Sequence, residues 1–297
     1  MSAADASSDL AAAVRDGDLR VLLMCLVHLT GDERWLAPPY LPRKDVDIVP
    51  DPAAGIDADV ADEIRAAVVA HAHDDPVVDR PDDDLMLRMM IASTGDRIDP
   101  AYVGMMREEM GFDSKDVAWP DGVTAPPDLD VLIVGAGASG IALGVRLGRL
   151  GIPYRIVEAG ASVGGVWRDN RYPGCAVDTP NHFYSFSFAP PHRWTQYFST
   201  QPELERYMCE TADAFGVTDR ITFGATVEHA TWDDTRARWT VDLRAGGTVR
   251  QLDAAVLVSA VGQLQAPKLP AIDGLDTFTG DAFHSARWPA DLDRRGR

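Results

Sequence analysis

The sequence has little positive charge, few cysteines and no long apolar run, and each shortage excludes something. Against 46 Asp and Glu stand 28 Lys and Arg, a formal charge of −18 over 297 residues. So acidic a chain repels phosphate backbones, and nucleic acid is not an expected partner. The three cysteines, Cys25, Cys175 and Cys209, are odd in number and lack metal or redox spacing. They read as free thiols in a reducing cytoplasm, with no metal site expected. The stretch Val21 to Val27 is far too short to span a bilayer, so no membrane partner is expected either. The opening MSAADASSDL lacks the basic start and apolar centre of a secretory signal. What is present is ordinary globular composition, 46% hydrophobic and 25% charged, enough for one large domain or two modest ones.

The charge is uneven. Residues 1–127 carry 11 basic and 26 acidic side chains, whereas residues 128–297 carry 17 and 20. Residues 1–118 are expected to form an acidic helical extension. Leu10 to Leu29 places Leu19, Leu22, Leu23, Leu26 and Leu29 near one helical face, and Ala58 to Ala70 repeats the pattern with Val60, Ile64, Val68 and Val69. A third helix over Leu85 to Ala92 follows the triplet Asp82, Asp83 and Asp84, which suits a helix N-terminus and its dipole. A fourth opens at Asp99-Pro100 and stops at Gly111. His71 and His73 have no third ligand nearby and read as solvated surface. Helical packing, a homodimer contact and a lid all stay open as roles for this region.

Residues 119–127 (WPDGVTAPP) read as a linker. Beyond it the texture changes to α/β: a strand over Asp130 to Val134, a helix over Ala138 to Leu150 and a strand over Tyr154 to Val157. That βαβ unit predicts a parallel sheet and a Rossmann-like domain over residues 128–297. A helix over Thr200 to Gly216 carries a Thr200/Glu203 capping box, a small antiparallel meander spans about 221–252 with a Gly246-Gly247 turn, and Ala254 to Ala260 returns to a buried strand.

Gly135, Gly137 and Gly140, with Ala138 and Ser139 between them, spell G-x-G-x-x-G between the first strand and its helix. The first glycine makes the tight turn, the second admits a pyrophosphate to the backbone, and the third lets helix and strand pack closely. The helix start then offers amide N–H groups to the phosphates. Glu158 lies 18 residues past Gly140, where an acid hydrogen-bonds ribose hydroxyls and repels a 2′-phosphate. FAD or NAD(H) is therefore expected here in preference to NADP(H).

Next come Gly164, Gly165, Val166 and Trp167, then Arg171-Tyr172-Pro173-Gly174 and Asp178. This order resembles the flavin-binding loop of Baeyer–Villiger monooxygenases, and the resemblance implies FAD. Carried over, Gly165, Val166, Trp167 and Asp178 border the flavin, with Tyr184 and Val227 as further contacts. Ala260-Val261-Gly262 resembles the A-T-G turn that returns to the FAD pyrophosphate, with Val261 in place of Thr. Phe278, Gly280, His284, Trp288 and Pro289 spell F-x-G-x-x-x-H-x-x-x-W-P, the fingerprint of that family, over residues 278–289. Tyr102-Val103-x-x-Met106-x-x-Glu109 more loosely resembles the 4-hydroxyacetophenone monooxygenase subgroup.

The resemblance implies a reaction in which NADPH reduces FAD, the reduced flavin activates O2, and one oxygen atom enters beside a ketone carbonyl to give an ester or lactone. Developing negative charge then needs a cation. The family uses an arginine from its NADP-binding domain, tuned by the acid matching Asp178, with His284 organising the active state. Both roles are supporting ones. Only one G-x-G-x-x-G is found, and eight residues follow Pro289, ending Arg294-Arg295-Gly296-Arg297. The chain is accordingly expected to be truncated before the NADP domain and unable to complete NADPH-driven turnover alone. An FAD-binding remnant without turnover and a flavin-dependent N- or S-oxygenase stay open as alternatives.

Overall fold

A computed structural model of the chain describes residues 3–44, 51–72, 80–114, 116–189, 192–292 and 295. His73, Arg294, Gly296 and Arg297 lie outside the described residues. The chain divides into two compact units, Met1–Lys115 and Asp116–Arg297.

The first unit is helical: α1 (Ala3–Asp16), α2 (Leu19–Thr30), α3 (Ala58–His71), α4 (Asp83–Thr94) and α5 (Val103–Glu109). The single run expected over Leu10 to Leu29 is in fact broken. The Asp18 side chain accepts the N–H groups of Arg20 and Val21 and so starts a new helix. Leu19, Leu22, Leu23 and Leu26 of α2 are buried, while Leu29 is only partly so. They pack with Ala61, Ile64 and Val68 of α3 in one core. Asp82 caps α4 by accepting the Leu85 N–H at 2.8 Å. A short 3-10 turn over Pro100–Tyr102, capped by Asp99, precedes α5.

The second unit contains β1 (Val131–Val134), α6 (Ala138–Arg149), β2 (Tyr154–Val157), α7 (Val166–Asp169), α8 (Gln201–Ala214), β3 (Ile221–Thr222), β4 (Ala225–Asp233), β5 (Arg238–Ala245), β6 (Thr248–Ala254) and β7 (Val256–Ser259). The parallel sheet runs β3-β2-β1-β7, and β4-β5-β6 form a separate antiparallel sheet. Alternate strand residues serve opposite faces, as the two-residue period of a strand requires. Val131, Ile133, Tyr154 and Ile156 join a core with Ile141 and Val145 of α6 and Leu204 of α8. Leu132 and Val157 join Ala225, Val241 and Leu243 of the antiparallel sheet. Both faces of the central β1 are thus covered, which accounts for its continuous apolar run, whereas β7, expected to be buried, lies at the sheet edge with Val256 and Ser259 exposed.

Three expectations need correction. Ile221 and Thr222 do not belong to the meander; they pair in parallel with Ile156 and Val157, because Ile221 packs on the α6–α8 core. The segment read as a linker is anchored from its start. Trp119 Nε1 donates to Leu150 O at 2.8 Å, and the second unit begins before it, at Asp116 of the expected 1–118 extension, which pairs with Arg146 at 2.7 Å and also with Arg149. The Thr200/Glu203 capping box is absent. Thr200 is the N-cap but makes no side-chain cap bond, and Glu203 turns instead to Thr195 and Ser199. The two-residue Gly246-Gly247 turn joins β5 to β6 with φ of 56° and 79°, the positive values such a hairpin needs.

Candidate functional site: two glycine loops around one cavity

β1 is followed by Gly135, whose φ of 107° and close approach to Ala260, just past β7, both demand glycine. A Cβ there would stand 2.6 Å from the Ala260 carbonyl oxygen. A Cβ on Gly140 would overlap the Gly135 carbonyl, so this glycine lets α6 start directly against the turn. Gly137 is the N-cap of α6, and no side chain caps it. The helix start is therefore left with free amide donors and the positive end of its dipole.

A second loop meets the first. The Gly164 N–H donates to the Ala136 carbonyl at 3.0 Å. A Cβ on Gly165, where φ is 53°, would lie 3.1 Å from Gly137 Cα, and one on Gly137 would lie 3.6 Å from Gly165 Cα. The two loops therefore meet backbone to backbone, and a side chain on Gly165 would crowd that contact. α7 then begins at Val166 and carries Trp167, whose Nε1 donates to Tyr184 Oη at 2.9 Å with the rings edge to face.

These elements enclose a cavity of about 550 Å³, within the usual range for cofactor sites. Gly135, Gly137, Ala138, Ser139, Glu158, Gly165, Val166, Trp167, Tyr184, Val227 and Gly262 all line it. Gly140 lies behind the wall as a packing residue. The cradle fits the diphosphate of a dinucleotide: backbone approaches without side chains on one side, helix amides on the other. The neighbouring aromatic pair fits a flat ring.

Glu158 is buried at the end of β2. Its Oε2 accepts the Ala136 N–H at 2.8 Å, and its Oε1 accepts the Gly160 N–H at 2.7 Å and Arg168 Nη1 at 2.8 Å. Burial alone would lower the Arg168 pKa, but hydrogen bonds to Asp169 and Glu158 outweigh it and hold the guanidinium above its ordinary value. Behind Trp167 lies a second polar group. Gln201 Nε2 donates to the Trp167 carbonyl and to Glu205 Oε2, the latter at 2.9 Å. Asn181 is fully buried; its Nδ2 donates to Gln196 O at 2.8 Å and Ser199 Oγ at 2.6 Å, and Ser199 Oγ donates to Glu203 Oε2 at 2.6 Å.

Other expected residues lie elsewhere. Asp178 is exposed, accepts a 3.4 Å hydrogen bond from Thr179 Oγ1, and does not line the cavity. His284 does not line it either: its Nδ1 accepts the Ala286 N–H at 3.1 Å and caps the turn Ser285–Arg287, which lies against α7. Phe278 is exposed with its ring over Gly280, and Trp288 meets Phe283 edge to face. Sequence reasoning missed Arg168, Met208, Thr226 and Gln263. Met208 and Thr226 line the cavity through α8 and β4, elements far from the glycine motif in sequence, and Gln263 follows Gly262. Arg168 stood directly beside Trp167, but no motif drew attention to it.

A family model described as an NAD(P)-binding Rossmann-like domain matches residues 133–200. An uncharacterized monooxygenase, y4iD, of Sinorhizobium fredii is 36% identical over 294 residues, 97% of this chain and 44% of that protein. A Baeyer–Villiger monooxygenase of Streptomyces coelicolor is 46% identical over 168 residues, 56% of this chain and 32% of that protein. The crystal structure of OTEMO in complex with FAD and NADP superposes with a TM-score of 0.51 at 35% identity, covering 57% of this chain and 32% of that one. The homologues are thus Baeyer–Villiger and other flavin monooxygenases, and over the matched 57% of the chain the fold is theirs. The chain spans less than half the length of these relatives.

Proposed function

We propose that the second unit binds FAD as the flavin-holding part of a Baeyer–Villiger-type monooxygenase. The observation that carries this is the backbone contact of Gly137 with Gly165, which a side chain on Gly165 would crowd, at the edge of a cavity that Trp167 and Tyr184 also line. The diphosphate sits on the amides of Ala138 and Ser139, Glu158 takes the adenosine ribose, and Val166, Trp167, Tyr184 and Val227 wall the ring portion. When bound, FAD supplies the electron transfer from NADPH to O2 by which such an enzyme places one oxygen atom beside a ketone carbonyl. The protein's own part is to seat the cofactor and keep water from it. Asp178 and His284 act in support, His284 by holding the turn that lies against α7. The partners proposed are a small ketone, O2 and NADPH, in the cytoplasm, with the acidic first unit as a helical extension serving as a homodimer contact.

The exposed position of Asp178 favours a second reading, in which FAD is held without oxygenation. Titration of the purified chain with FAD tests the first claim. Quenching of flavin fluorescence with one-to-one saturation is expected, since Trp167 and Tyr184 line the cavity proposed to take the ring. Unchanged fluorescence at high FAD would overturn it. Anaerobic NADPH adds a one-sided test: persistent colour is expected of this chain alone under either reading, whereas bleaching of the bound flavin would exclude the holding module.

A further inference from the structure

Arg168 is almost fully engaged. Nη1 donates to Glu158 Oε1 at 2.8 Å and to the Ser162 carbonyl at 2.7 Å, while Nε and Nη2 fork onto Asp169 at 2.8 and 3.2 Å. Its side chain is only 10% exposed. Gly160 makes the room, because a Cβ there would overlap the guanidinium. A planar fork held at several points has one orientation, which a lysine could not reproduce.

The consequence falls on Glu158. A carboxylate has about four acceptor positions. Oε1 spends its share on the Gly160 N–H and Arg168, and Oε2 spends one on the Ala136 N–H. One position on Oε2 is left, on a residue that lines the cavity. Arg168 also offsets a buried negative charge that would otherwise repel a diphosphate next to it.

We infer that Arg168, given its space by Gly160 and braced by Asp169, is a positioning residue that locks the Glu158 carboxylate so that its remaining Oε2 acceptor reads a ribose hydroxyl of the adenosine half of the dinucleotide. This deepens the proposed FAD site and rests on it. The lock gives preference for an intact ribose, beyond overall affinity.

The test measures binding of ADP and of 2′,3′-dideoxy-ADP to the full chain, by calorimetry, in the wild type, Arg168→Met and Gly160→Ala. Gly160→Ala evicts the guanidinium without removing its charge, and it keeps the inference testable if Arg168→Met folds poorly. The wild type should prefer ADP by about tenfold, as expected for a hydrogen bond to a charged acceptor. Both variants should bring the two ligands to within about twofold of each other while still binding FAD. A brace with no part in ribose reading would weaken both ligands equally, and an unchanged ratio in both variants overturns the inference. So does a wild type that binds FAD but shows no preference for ADP. A wild type that binds neither FAD nor ADP overturns the FAD proposal first, and the lock with it.

Discussion

The two units bury different things. The first is held by Leu19, Leu23, Leu26, Ile64 and Met89, and among the described residues it buries no polar or charged side chain. The second buries Glu158, Asn181, Ser199, Gln201, Glu203 and Thr211 alongside its apolar core. Burying such groups costs free energy unless each finds a partner. All of them make hydrogen bonds, and Glu158 and Gln201 brace the two loops around the cavity. The first unit's interior therefore explains its stability alone, whereas much of the second unit's interior is arranged to hold loop geometry.

That contrast can be broken most sharply by a pair of variants. Gly140→Ala forces a Cβ into the Gly135 carbonyl, which costs the second unit about 3 kcal/mol of stability and, by displacing the turn that offers its amides, should weaken FAD by up to about 100-fold. Ile64→Ala in α3 should cost a similar stability, about 3 kcal/mol, in the melting of the first unit, yet leave FAD affinity unchanged. If Ile64→Ala weakens FAD binding as much as Gly140→Ala does, the division of labour is wrong.

A smaller effect is expected at Glu203. Burial pushes its pKa up, but hydrogen bonds from Ser199 and Thr195 and the charge of Arg206 prevail and leave it below the ordinary 4.5. Its stabilisation is therefore complete above pH 4.5 and is lost as pH falls through the lowered native value. Glu203→Gln should cost about 2 kcal/mol at neutral pH and flatten the acid limb of the second unit's stability profile. Chemical denaturation from pH 7 to 3 reads both; an acid limb as steep as the wild type's would remove Glu203 from the explanation.

The β1–α6–β2 unit and its glycines were legible because each has a local cause: apolar runs of strand length, and a turn where only glycine fits. The break between α1 and α2 was obscured because the leucine spacing runs on past Gly17, and only the Asp18 cap shows that the chain restarts. Glu203 was read as a helix cap from its spacing to Thr200, but the buried Ser199 and Thr195 offered it better partners. Ile221 looked like the start of the meander because one strand's alternation does not tell which sheet it joins. Arg168 was invisible for a different reason. Its importance lies in contacts to Glu158 and Ser162 and in the missing side chain of Gly160, none of which a motif records. Asp178 and His284 were named by resemblance, and their positions off the cavity follow from loop and cap geometry that resemblance does not carry.

The most direct measurement is a crystal structure of the chain grown with FAD. Diphosphate oxygens within hydrogen-bonding distance of the Ala138 and Ser139 amides, in the cavity beside the contact of Gly137 and Gly165, are the predicted result. Flavin ordered at any other place, with the Ala138 and Ser139 amides left without a phosphate, would contradict it.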